Sequence, residues 1–79
     1  MIKGLMVIKT ESGKWKNVVE ALKQIKEIKQ ISSLAGIYDL MVEIYVEKME
    51  TLNDIMLDKI DGIDGIINTT TFIVLKDFK

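Results

Sequence analysis

The stretch AGIYDLMVEIYV, residues 35–46, sets a glycine and an acid ahead of a run in which every second residue is apolar. Alternation with period two marks a strand that turns one face to a core and the other away from it. Tyr38, Leu40, Val42, Ile44 and Val46 then share one face, and Asp39, Met41, Glu43, Tyr45 and Glu47 share the other. Just upstream, IKQISSLA (28–35) carries β-branched residues diluted by two serines, the composition of an edge strand with one wet side. Gly36 and Ile37 lie between the two segments, which predicts an antiparallel hairpin with Gly36 in the positive-φ conformation that such turns need.

The flanking segments complete the fold. Residues 2–9 are rich in Ile, Leu, Met and Val and do not alternate, Leu5 and Val7 pointing one way and Met6 and Ile8 the other, as in a central strand covered on both sides. Trp15, Val18, Val19, Leu22 and Ile25 recur at helical spacing. They predict a helix from about Lys14 to Lys26, with Ser12 or Gly13 at its N-cap and Trp15 as a core anchor. A second helix follows from Leu52, Ile55, Met56 and Ile60. Thr51 and Asp54 fit an acidic variant of the capping box, and Gly62 is placed to end the helix in a left-handed conformation. The β-rich run IINTTTFIVL (66–75) supplies a last strand.

The order strand-helix-strand-strand-helix-strand is that of the α+β ferredoxin-like βαββαβ sandwich, a four-stranded antiparallel sheet with both helices on one face. The other face stays bare and still carries large apolar residues of the first strand. Such a surface predicts a homodimer packed sheet on sheet.

Seventy-nine residues form one domain, 1–79, because so short a chain cannot support two cores. With no Cys and no His, neither a disulfide nor an ordinary zinc site is available, and no metal or cofactor is expected. Eleven lysines, no arginine and twelve acids give a net charge of −1, which disfavours direct nucleic-acid binding. No apolar run approaches a membrane span and no signal-peptide pattern opens the chain, so a cytoplasmic protein is expected. Catalysis has few groups to draw on without a His, a Cys or a glycine-rich phosphate loop, and the chain is not expected to be an enzyme. The rival class is a small dimeric enzyme with a cavity between sheets, for which Tyr45 and Glu43 would be the pair; a third is an adaptor that binds no metabolite.

Two motifs go beyond the fold. A Gly-x-Tyr-Asp-Leu hairpin is followed, after one helix, by a Gly-Ile step, a Thr-x-Thr and an aliphatic run, here Gly36, Tyr38, Asp39, Leu40, Gly65, Ile66, Thr69, Thr71 and Ile73-Val74-Leu75. In this pairing the chain resembles, over essentially its whole length, the effector-binding RAM domain of the Lrp/AsnC (feast/famine) transcription regulators. The resemblance implies an oligomer that senses amino acids: a dimer that assembles into tetramers or octameric or decameric rings and binds an amino acid between dimers. Carried over residue by residue, it points to Gly36, Ile37, Tyr38 and Asp39 on the loop and to Thr69, Thr70 and Thr71 on the last strand. Full-length members carry an N-terminal helix-turn-helix, whereas this chain begins at the first strand. The resemblance is therefore to the stand-alone form of the domain, whose expected partner is a full-length regulator of the same family.

The chemistry of such a site also stands without the family. An amino acid presents an ammonium, for which Asp39 is the acid, and a carboxylate, which hydroxyls or backbone N–H groups can receive. Against this, Gly36 is first a turn residue, the threonines are good strand formers, and Tyr38 shares the parity of the core. Thr69 and Thr71 share a face and Thr70 lies opposite, so at most one set can face one pocket.

Overall fold

A computed structural model describes residues 1–79, and its elements follow the expected order: β1 (Ile2–Thr10), α1 (Trp15–Leu22), β2 (Ile28–Ser33), β3 (Leu40–Val46), α2 (Met49–Asp54) and β4 (Ile66–Ile73). The strands lie in the order β2-β3-β1-β4 with every pairing antiparallel. Met6 and Ile8 of β1 and Leu40, Val42, Ile44 and Val46 of β3 form one buried cluster with Val18 and Leu22 of α1 and with Leu52, Ile55 and Ile60 from the second helical segment. Because both helical segments feed a single cluster, they cover the same face of the sheet.

The bare face follows from register. Leu5 lies between Glu43 of β3 and Phe72 of β4, and Val7 lies between Met41 and Thr70. Phe72 is 53% exposed in the protomer, and Leu5, Val7 and Met41 are half-buried. The expected uncovered face is thus real, apolar at its centre and polar at its ends. There Lys3 stands 3.9 Å from Glu43, which accepts a hydrogen bond from the Tyr45 hydroxyl at 3.2 Å.

Several local expectations need correction. No side chain caps α1: its N-cap position is Lys14, after a turn in which Gly13 has φ +81°. The helix ends four residues earlier than the apolar spacing suggested, because Gln24 and Ile25 donate to carbonyls only three residues back, a tightened last turn. Trp15 is 50% exposed rather than a core anchor, since it opens the helix beyond the edge of the sheet's buried centre. The second helix starts at Met49 with an extended Lys48 before it, so Thr51 sits inside the first turn and caps nothing.

After Asp54 the winding widens. Ile55–Ile60 is π-helical, the Asp61 N–H donating to the Met56 carbonyl five residues back at 2.9 Å. Gly62 does not end it in the left-handed region; the positive φ falls at Gly65, +104°. That glycine also makes a close approach, since a Cβ there would lie 2.8 Å from Lys14 Cβ and 3.2 Å from Val18 Cγ2. The turn is tied down by the Glu11 N–H donating to the Gly65 carbonyl at 2.8 Å, by Asn17 donating to the Asp64 carbonyl at 2.8 Å, and by the Lys14–Asp64 ion pair at 3.1 Å.

Candidate functional site

The β2–β3 connection is a six-residue loop, 34–39, rather than the tight two-residue turn expected. The Leu34 N–H donates to the Asp39 carbonyl at 2.9 Å and closes it, while the Asp39 N–H donates to the Ile8 carbonyl of β1 at 2.9 Å. Gly36 at the apex has φ +142°, as the turn chemistry predicted, and the space where a Cβ would sit is open. Ile37 beside it is 81% exposed. The N–H groups of residues 35–38 make no hydrogen bond within the protomer. An array of free amides in one short segment can receive an anion.

Asp39 is fixed by β1. Its Oδ2 accepts from the Thr10 N–H at 2.8 Å and from the Thr10 hydroxyl at 3.1 Å, while Oδ1 has no protein partner. The Thr10 amide is the main cause that holds the carboxyl below the usual carboxylate range; partial desolvation works against it, and the Thr10 hydroxyl and the Lys9 charge add to it. Asp39 is therefore an ionised acceptor at neutral pH with one oxygen to spare.

The structure separates the candidates by face. Strand β3 begins only at Leu40, so the alternation read through Tyr38 and Asp39 fails there, and both side chains lie opposite to the parity argument. Asp39 turns to the helix side, where it lines a cleft of about 350 Å³ with Trp15, Ser33 and Leu40. Tyr38 does not join the core; its hydroxyl lies 3.0 Å from the hydroxyl of Thr70, on the bare side. Thr70 sits opposite Val7 of β1, whereas Thr69 and Thr71 sit opposite Ile8 and Met6 on the helix side. The division of the threonines is the one the alternation predicts.

Three residues were not singled out as part of the site. Ser33 and Trp15 carry no motif that would have marked them. Thr10 does carry a signal, because Met6, Ile8 and Thr10 share one parity, and a polar residue only 8% exposed at the end of a core stripe needs a partner.

Comparison with known proteins identifies the family and the fold. The family model for the Lrp/AsnC ligand binding domain matches residues 4–79. The HTH-type transcriptional regulator FL11 of Pyrococcus furiosus is 36% identical over 78 residues, which cover 99% of this chain and 51% of that protein. This chain thus spans about half the length of the curated relatives it matches. Among solved structures, FFRP-DM1 is 28% identical with a TM-score of 0.90, covering 95% of this chain and 100% of that one. The regulator NMB0573 of Neisseria meningitidis, solved as a complex with L-Met, shares the fold with a TM-score of 0.91 at 16% identity, over 99% of this chain and 52% of that one. With a family match over residues 4–79 on a β2-β3-β1-β4 sheet, this chain belongs to the Lrp/AsnC ligand-binding domain family.

Proposed function

We propose that this domain binds a free amino acid at the rim of the 34–39 loop and passes its occupancy, through contacts between dimers, to a transcription regulator of its own family. The family is a ligand-binding domain of transcription regulators, so a sensing role suits it better than catalysis. The observation that carries the reading is Asp39, ionised, locked in place by Thr10 through one oxygen and open at the other. A carboxylate pre-positioned in this way accepts an ammonium without losing side-chain freedom on binding. The free N–H groups of residues 35–38 are the donors for the carboxylate, and the bare Gly36 leaves the approach unobstructed.

The L-Met complex of NMB0573 supports an amino acid as the ligand class. Ile37 and the helix-side Thr69 and Thr71 enter the reading as the surface that a neighbouring dimer brings to the site, whereas Tyr38 and Thr70 lie on the bare side and stay outside it. The dimer itself forms by apposition of two bare faces, burying Leu5, Val7, Met41 and Phe72. A ligand that touches two dimers favours the arrangement that closes around it, which couples binding to assembly.

A thermal-shift screen of the twenty amino acids, on the wild type and on Asp39→Ala, tests the reading. One or a few amino acids should raise the melting temperature of the wild type, because they bind only the folded state, and none should do so for the variant. A melt that no amino acid moves would overturn it.

A further inference from the structure

The outer surfaces of the two helical segments carry opposite charge. Along α1, Trp15, Lys16, Val19, Glu20 and Lys23 line an open hollow of about 300 Å³, which shares only Trp15 with the cleft beside Asp39. Trp15 and Val19 make it apolar, and the exposed Lys16 and Lys23 make it basic, since Glu20 is already engaged by Lys23 at 3.0 Å. Trp15 is half exposed there, a costly position for so large an apolar group unless something covers it.

The second helical segment carries the counterpart. Leu57 is 57% exposed, and Asp54, Asp58 and Asp61 stand exposed around it. None of the three carboxylates is in an ion pair within the protomer. Glu50, Asp54 and Asp58 follow one another at steps of four residues, a spacing at which like charges on a helix repel. Lys59, next to Asp58 in the chain, stands 3.9 Å from Glu27 instead. An exposed leucine ringed by unpaired acids is stabilised when a surface that is both apolar and cationic covers it.

From this we infer that Leu57 of one copy of this chain seats in the Trp15–Val19 hollow of another, with Asp54 and Asp58 against Lys16 and Lys23, and that this contact joins sheet-on-sheet dimers into larger assemblies under the control of ionic strength. The inference rests on the dimer proposed above and adds to it a contact that the effector site does not supply.

Both helical segments cover the same face of the sheet, so sheet-on-sheet packing turns a hollow and a Leu57 knob outward on each side of the dimer. Two-fold pairing of such layers makes the contact reciprocal, the knob of each copy meeting the hollow of the other. One set of exposed ion pairs is weak. A lone protomer has a single helix layer and holds the contact poorly; a dimer has two, and an assembly that closes on itself gains all of them together. A foreign acidic segment would suit the lysines but leave the acidic knob uncovered, whereas a second copy satisfies both surfaces at once.

The experiment is sedimentation velocity of the full chain, with no amino acid added, at about 50 mM and about 500 mM NaCl, where screening lengths differ roughly threefold. Two charge-reversed proteins accompany the wild type: Lys16→Glu with Lys23→Glu, and Asp54→Lys with Asp58→Lys. A third variant, Leu57→Ser, removes the knob and keeps the charges. All five substitutions fall at exposed positions, and far-UV spectra and melting temperatures check that each protein is folded.

The wild type should run larger than a dimer at low salt and as a dimer at high salt. Each charge-reversed protein alone should stay a dimer at both, because its hollow and knob now have the same sign. Their equimolar mixture should regain the larger species at low salt, each supplying the hollow that fits the other's knob. Leu57→Ser should need at least about tenfold more protein to assemble. A wild type that stays a dimer at low salt overturns the contact and leaves the dimer standing, whereas a monomeric wild type overturns both. Larger species that persist at high salt or in either charge-reversed protein alone, a mixture that fails to reassemble, or assembly untouched by Leu57→Ser would place the contact on another surface and overturn this assignment.

Discussion

Asp39 and Thr10, twenty-nine residues apart, are joined by two hydrogen bonds to the same carboxylate oxygen, 2.8 Å from the backbone amide and 3.1 Å from the hydroxyl. One acid thereby ties the end of β1 to the start of β3 and keeps its remaining oxygen without a protein partner.

The pH dependence follows from the sign of the shift. Folding lowers the carboxyl's pKa, so the interaction stabilises the protein at neutral pH and fades as the pH falls below the unfolded value of about 3.9 and through the lower folded one. The difference in melting temperature between the wild type and Asp39→Asn should be constant from pH 7 to pH 5 and shrink below about pH 4. A difference that persists unchanged at pH 2 would show that the Thr10 bonds contribute nothing through the charge.

The two glycines of the IDGIDG turn should respond in opposite ways. At Gly65 an alanine meets both the left-handed backbone and the Cβ of Lys14, and a loss of about 1–3 kcal/mol is expected in urea unfolding. At Gly62 the space is open and φ is not positive, so alanine should be neutral or stabilising by up to about 1 kcal/mol. Equal effects at the two sites would contradict the placement of the turn.

On the bare sheet face, Leu5→Glu puts a charge at the apolar centre, between Glu43 and Phe72. Sedimentation should then give a particle of 9.0 kDa with the far-UV spectrum of the wild type, and the wild type itself should sediment as a dimer or larger. A monomeric wild type would remove the basis for coupling ligand binding to assembly.

At the alkaline end, Lys14 should matter. Asp64, through its hydrogen bond and its charge, raises the ammonium's pKa above its ordinary value, with Glu11 adding to it. The contribution is therefore complete below the unfolded pKa of about 10.4 and is lost as the pH rises through the folded one. The gap in melting temperature between the wild type and Lys14→Gln should be small at pH 8, since the pair is exposed, and should narrow as the pH rises past the unfolded value and through the raised folded one.

What the sequence revealed depended on how far each periodic signal ran. Seven residues of β3 in register made its core face legible, and the glycine before them made the turn legible. Tyr38 and Asp39 precede the first ladder pair, so alternation has no hold on them, and their directions are set by Thr10 and Thr70 from distant parts of the chain. The same holds at IDGIDG, where two identical steps differ only in which one meets Lys14 and Val18. Trp15 misled because a first helical residue at core spacing can still overhang the sheet.

The widened winding at Ile55–Ile60 has a consequence for chain length. Ile55 and Ile60, five residues apart, are both buried, 2% and 0% exposed, and a bond to the fifth residue back lets that spacing share one side. Removing a single residue among 57–59 would shorten the spacing to four, which an ordinary α-turn satisfies on its own. The segment thus holds one residue of slack, and such a deletion should leave the fold standing and the hydrophobic contacts in place.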